Sequence, residues 1–169
     1  MTDLPYSLSV PVSDLPPHGL QMELVPDAAQ RAALARHVGV LAVSDLKATL
    51  HIAPEGKEGV HVTGHLTGTV SQTCGVTLEA FDAPVSESVD VHFVPAGSYT
   101  PPEDPEESDE DPPDEIVDGS IDAGALVGEF LVLGVDPYPR KPGAVFEPPA
   151  EEPGALSPFA ALARLKDDK

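Results

Sequence analysis

Apolar and polar residues alternate over most of the first hundred positions, which is the period of a strand with one face buried. Tyr6, Leu8 and Val10 alternate with Ser7 and Ser9, and Leu20, Met22 and Leu24 alternate with Gln21 and Glu23. These predict two short strands separated by a Pro16-Pro17-His18-Gly19 turn. Leu46, Ala48, Leu50 and Ile52 then alternate with Lys47, Thr49 and His51, and Glu55-Gly56-Lys57-Glu58-Gly59 reads as a hairpin turn. Val60, Val62, Leu66 and Val70 share one face, with Gly64 and Gly68 in the same phase, where glycine marks a bulge or a sharp coil. Val76 and Leu78 are expected to continue this run, and Val85, Val89, Val91 and Phe93 form the last expected strand.

Helical spacing is found in two places. Residues 27–37 are rich in alanine and arginine, with Asp27 placed to cap the start and Gly39 to end the helix. Residues 121–133 carry Ile121, Leu126, Phe130 and Leu133 at helical intervals, with Ser120 or Asp122 near the cap and Pro137 and Pro139 beyond the end. Phe159, Leu162 and Leu165 mark a short amphipathic helix near the C-terminus. The pattern predicts one α+β domain over residues 1–169. Its sheet is expected to be antiparallel, strongly coiled or partly barrel-like, with the two main helices on its apolar side.

Composition changes this picture in two regions. The chain has 20 prolines in 169 residues, and its 29 acidic against 9 basic residues give a net charge of −20. Residues 97–115 combine proline with a run of Asp and Glu without a basic residue, so a mobile, disordered acidic loop is expected there. A second Pro/Glu linker is expected at about 144–157, before the terminal helix. Nothing approaches the ~20 apolar residues of a membrane span. No basic region precedes an apolar run at the N-terminus, so neither a signal peptide nor a membrane partner is expected. The single cysteine excludes an internal disulfide and suits a reducing cytosol, the expected location. Affinity for a phosphate backbone comes mostly from Lys and Arg, so this charge favours a basic protein as partner over nucleic acid.

Signatures of catalysis are sparse. GxxxxGK, GxGxxG, GxSxG and HExxH are all missing, and most carboxylates sit in the proline-rich run where nothing positions them. His61 and His65 are four apart on one strand face, and by parity His51 and His92 also lie on polar faces, so strand imidazoles could converge on zinc. The bland alternative is polar filler on a wet face. Cys74 could be a nucleophile, but a negative field should raise its pKa, and a small buried strand residue is the simpler reading. Arg140 and Lys141 follow a rigid Asp136-Pro137-Tyr138-Pro139 segment, which is either a recognition corner or a structural stop.

Four ordered runs, residues 73–79, 118–124, 136–143 and 157–166, resemble boxes of the alphaproteobacterial YceD, or DUF177, family. Thr73-Cys74-Gly75-Val76-Thr77-Leu78-Glu79 is similar to its QTCxVTLEP box, and Asp118-Gly119-Ser120-Ile121-Asp122-Ala123-Gly124 to its acidic-Gly-x-Ile-Asp-x-Gly box. Asp136-Pro137-Tyr138-Pro139-Arg140-Lys141-Pro142-Gly143 is similar to its LDPYPRKPG box. The run from Ser157 to Lys166 resembles its terminal NPFAALAxLK, with Ser157 in place of Asn. Other branches of the family carry CxxC where this chain has Cys74 and Thr77.

The resemblance implies a non-enzymatic bacterial ribosome-biogenesis factor, without cofactor, that supports 23S rRNA accumulation or large-subunit assembly. The expected partner is a basic large-subunit ribosomal protein or a pre-50S particle, with weak or indirect rRNA contact. The boxes nominate Cys74, Thr77, Glu79, Asp122, Asp136, Tyr138, Arg140, Lys141 and Phe159 as partner-binding positions. The alternatives are a metal-binding or thiol enzyme using the strand histidines and Cys74, and a direct rRNA-binding module using Arg140 and Lys141.

Overall fold

A computed structural model describes residues 5–101, 111–146 and 148. The expected terminal helix, with Phe159, and the heart of the acidic loop, residues 102–110, lie outside the described residues.

The described chain is α+β. Strand β1 (Ser9–Pro11) leads through a 3-10 turn (Val12–Asp14) to β2 (Leu20–Leu24) and helix α1 (Ala28–Val38). Three long strands follow: β3 (Ala42–Glu55), β4 (Gly59–Thr73) and β5 (Ala80–Pro95). Two short strands, β6 (Asp114–Ile116) and β7 (Ser120–Asp122), precede helix α2 (Ala123–Gly134). The main sheet has the order β2-β3-β4-β5-β6, and β1 pairs separately with β7.

The long strands follow from the alternation. Leu46, Ala48, Leu50 and Ile52 of β3, Val60, Val62, Leu66 and Val70 of β4, and Val85, Val89 and Phe93 of β5 are all buried on one face. Both helices cover that face, α1 against β3 and α2 against β5. A methyl group at Gly128 of α2 would stand 3.5 Å from Leu34 of α1, so the helices meet there in ordinary contact. Gly64 and Gly68 explain themselves by proximity. A Cβ at Gly64 would fall on the Thr49 carbonyl and 3.0 Å from Leu50 Cα, and one at Gly68 would lie 2.8 Å from the Asp45 carbonyl oxygen. Strand β3 comes so close to β4 that only glycine clears it.

Helix α1 starts and stops as its sequence suggests. Asp27 Oδ1 accepts from Gln30 N at 2.8 Å, and Gln30 Oε1 accepts from Asp27 N at 2.7 Å, a reciprocal capping box. Gly39 ends the helix in the left-handed region at φ 81°.

Several expectations need correction. The sheet is open, with β2 and β6 as its edges, and it is mixed, because β6 runs parallel to β5. A barrel and a purely antiparallel sheet are therefore not what forms. Strand β6 begins at Asp114, inside the stretch expected to be mobile, and Glu115 there accepts from Gly97 N at 2.9 Å. Three residues are too few to show a period, which is why the pattern missed β6 and β7. Ile121 belongs to β7 rather than to α2, and Asp122 is the cap. Val76 and Leu78 do not prolong β4, since the chain turns over residues 74–79.

Two substitutions test this account by urea unfolding. Gly64→Ala should destabilise the protein by about 2 kcal/mol, because the added methyl forces two strands apart. Asp27→Ala should remove about 1 kcal/mol by opening the capping box.

Candidate partner-binding site

The turn between β4 and β5 is built around the Cys74 sulfur. Cys74 N donates to Glu79 O and Leu78 N donates to Cys74 O, both at 2.9 Å, which closes the loop. Leu78 adopts φ 59°, the left-handed conformation that such tight closure demands of one residue. Inside the loop the sulfur accepts from Val76 N and Thr77 N, each at 3.4 Å.

A distant segment completes the turn. Lys141 N donates to the same sulfur at 3.3 Å, and Gly75 N donates to Pro139 O at 2.9 Å. Lys141 Nζ pairs with Glu79 Oε2 at 3.0 Å. Gln72, the one buried polar side chain among the described residues at 6% exposure, donates to Asp136 O at 2.9 Å. Asp136 in turn accepts from Tyr138 N at 2.8 Å and stiffens the following prolines. A cleft of about 340 Å³ lies beside this clasp, lined by Leu41, Gln72, Val135, Asp136 and Pro139 among others.

Cys74 is fully enclosed, as expected, but its ionisation runs opposite to expectation. Hydrogen bonds from the Thr77 hydroxyl, the Thr77 and Lys141 N–H groups and the Val76 N–H outweigh burial and lower the thiol from about 9 to about 6. Donors at contact distance thus decide the ionisation of this sulfur, with burial the one opposing cause. The Thr77 hydroxyl, donating to the sulfur, is the largest cause of this lowering. Glu79 is also held below the usual carboxylate range, first by the hydrogen bond from Lys141 and then by its charge.

Seven of the nominated positions therefore come together: Cys74, Thr77, Glu79, Asp136, Tyr138, Arg140 and Lys141. Leu78 and Tyr138 stand on the two joined turns at 77% and 82% exposure. Asp122 belongs elsewhere. Its carboxylate caps α2 through Ala125 N at 2.9 Å and holds Leu8 N at 2.8 Å and Ser7 Oγ at 2.5 Å. Burial opposes that charge, but these donors, with Gly124 N, keep its carboxyl below its usual range. Gly124 is required there because a Cβ would meet Leu8 N at 2.7 Å. The second box is thus the anchor for the N-terminal segment. Phe159 is outside the described residues.

The strand histidines separate into pairs. His61 and His92 stack with ring centroids 4.1 Å apart, beside Asp90 and Glu55. His51 instead reaches the His18 carbonyl at 3.3 Å, and His65 contacts Ser86 Oγ at 3.2 Å. Sequence reasoning passed over Gln72, although a polar residue in the apolar phase of β4 was the available signal.

Fold and site define an α+β protein in which an open sheet carries, at the β4–β5 end, a clasp joining two separate sequence boxes. Residues 62–166 match the family described as Large ribosomal RNA subunit accumulation protein YceD, and the chain belongs to that family. No curated protein and no solved structure matches the chain. Among the described residues no helix is long and apolar enough to cross a membrane.

The thiol can be titrated directly by thiolate absorbance at 240 nm, with an expected midpoint at about 6. Because the folded pKa lies below the unfolded one, the stabilisation is complete above about 9 and is lost as pH falls through about 6. Urea unfolding of wild type and Cys74→Ser should show a stability gap that widens between those two values and vanishes below them.

Proposed function

We propose that this chain supports accumulation of large-subunit ribosomal RNA as a non-enzymatic factor that holds a basic large-subunit ribosomal protein. The observation that carries this reading is an open hollow of about 660 Å³ between β6, β7 and α2. Asp114, Glu115, Asp118, Asp122 and Glu129 line it, and among the described residues no lysine or arginine does. Glu129 has its carboxyl pushed up, first by burial and then by Asp114 and Asp122, so negative charge is crowded there without a counter-ion from the lining. An incoming Lys or Arg side chain relieves that repulsion.

The family description supports the ribosomal context, and the net charge of −20 supports a cationic partner. The clasp adds shape. Tyr138 and Leu78 offer apolar area on a turn already rigid before docking, which reduces the entropy lost on binding. The Lys141 ammonium is already paired with Glu79, so a phosphate must compete with that carboxylate for it.

Capture of purified basic large-subunit proteins on the immobilised chain tests the reading. Binding should fall at least about tenfold between 50 and 500 mM salt, as screened long-range attraction requires. Glu129→Gln combined with Asp118→Asn should weaken capture at low salt, and Tyr138→Ala should weaken it at every salt concentration. Capture that ignores salt, or no capture alongside tight binding of ribosomal RNA fragments, would overturn the proposal.

A further inference from the structure

The polar face of the main sheet carries a second constellation, which the clasp does not use. His61 of β4 and His92 of β5 are direct cross-strand partners. Their rings lie parallel within 6°, so the ladder holds two imidazoles side by side before any ligand arrives. Across the β3–β4 ladder, the residue opposite His61 is Ala53, a short side chain. Glu55 stands two positions further along the same face of β3, with its Oε2 2.7 Å from His92 Nδ1. Asp90, two positions before His92, has its Oδ1 2.7 Å from His61 Nε2 and 4.0 Å from His92 Nε2.

One donor atom from each of Glu55, His61 and His92 lies within 4.8 Å of the others. Around a tetrahedral ion with bonds of about 2.1 Å, neighbouring donors stand roughly 3.4 Å apart. A shared ion must lie in the plane of each ring, so binding turns the stacked imidazoles out of their parallel arrangement by side-chain rotation while the ladder stays in place. Three adjacent strands supply the donors, so the sheet has already met most of the ordering cost.

We propose that Glu55, His61 and His92, with Asp90 beside them, form a binding site for a divalent transition ion such as Zn²⁺ that staples β3, β4 and β5 on their polar face. Two imidazoles and carboxylate oxygen suit borderline ions of the Zn²⁺, Ni²⁺ and Cu²⁺ class, whereas Mg²⁺ and Ca²⁺ favour oxygen-only sites. Carboxylates so close to imidazoles can act as ligands or orient the rings from behind. Cys74 takes no part, since it is at the opposite end of β4. His51 and His65 point along the same face but are engaged with His18 and Ser86.

Calorimetric titration of the chelator-stripped full chain with ZnCl₂ provides the test. One equivalent should bind with a dissociation constant in the micromolar range, and His61→Ala or His92→Ala should weaken it by about a hundredfold. Glu55→Gln should weaken binding about tenfold, as loss of a ligating or orienting carboxylate does. Cys74→Ser should leave it unchanged, which separates this site from the clasp. The wild-type melting temperature should rise with Zn²⁺, while the double variant His61→Ala/His92→Ala melts at the same temperature with or without it. Thermal melts in chelator should be alike for wild type and both histidine variants, since the side chains lie on the outer face. No saturable binding below about 1 mM Zn²⁺, or equal binding by the double histidine variant, would overturn the proposal.

Discussion

Strand β4 is paired over nearly its whole length on both edges, with β3 on one side and β5 on the other, and its register governs the rest of the molecule. Side chains alternate with a period of two, so a slip of one residue would send Val60, Val62, Leu66 and Val70 into water. The same slip would turn His61 and His65 inward. Two glycines let β3 lie against this strand, and both helices rest on the face it buries. Gln72 and Cys74 continue its inward phase past the last apolar residue. That is why the clasp forms at this end of the strand and why its polar groups are enclosed.

The clasp shows how a short segment can be held without regular structure. Residues 136–141 contain two prolines among six positions and offer few backbone donors. Two of its donors are held inside the clasp: Tyr138 N by Asp136, and Lys141 N by the Cys74 sulfur. Acceptors of the same segment, Asp136 O and Pro139 O, are taken by Gln72 and Gly75. N–H and O–H donors around the sulfur favour its thiolate form, and they outweigh the burial that opposes it. The charge of the whole chain acts over longer distances, in the acid-lined hollow beside α2 and on any cationic partner approaching it.

Two boxes of similar appearance in the sequence perform different work. The box around Asp122 is consumed by architecture, with its carboxylate tying Ser7, Leu8 and the start of α2 together and its glycine making room for that contact. The box around Tyr138 is consumed only on one side. Its backbone faces the clasp, while Tyr138 and Arg140 remain exposed. Residues that look equally important as letters are separated by whether their polar atoms are already satisfied inside the fold.

The long strands, the caps of α1 and the stop at Gly39 were legible in the sequence because each depends on neighbours within a few positions. Alternation over fifteen residues and an Asp-x-x-Gln cap are local signals, and the structure uses them as they stand. The YceD membership was legible for a related reason, since its boxes are contiguous runs. Only tertiary structure decided the rest. The parallel docking of β6, the opening of the sheet and the pairing of β1 with β7 are long-range choices that three-residue strands cannot announce. The acidity of Cys74 rests first on Thr77, three positions on, but it also draws on Lys141, 67 positions away, and the company of His61 and His92 depends on a ladder 31 residues wide (92 − 61). Distances across a fold are set by packing, and no count along the chain contains them.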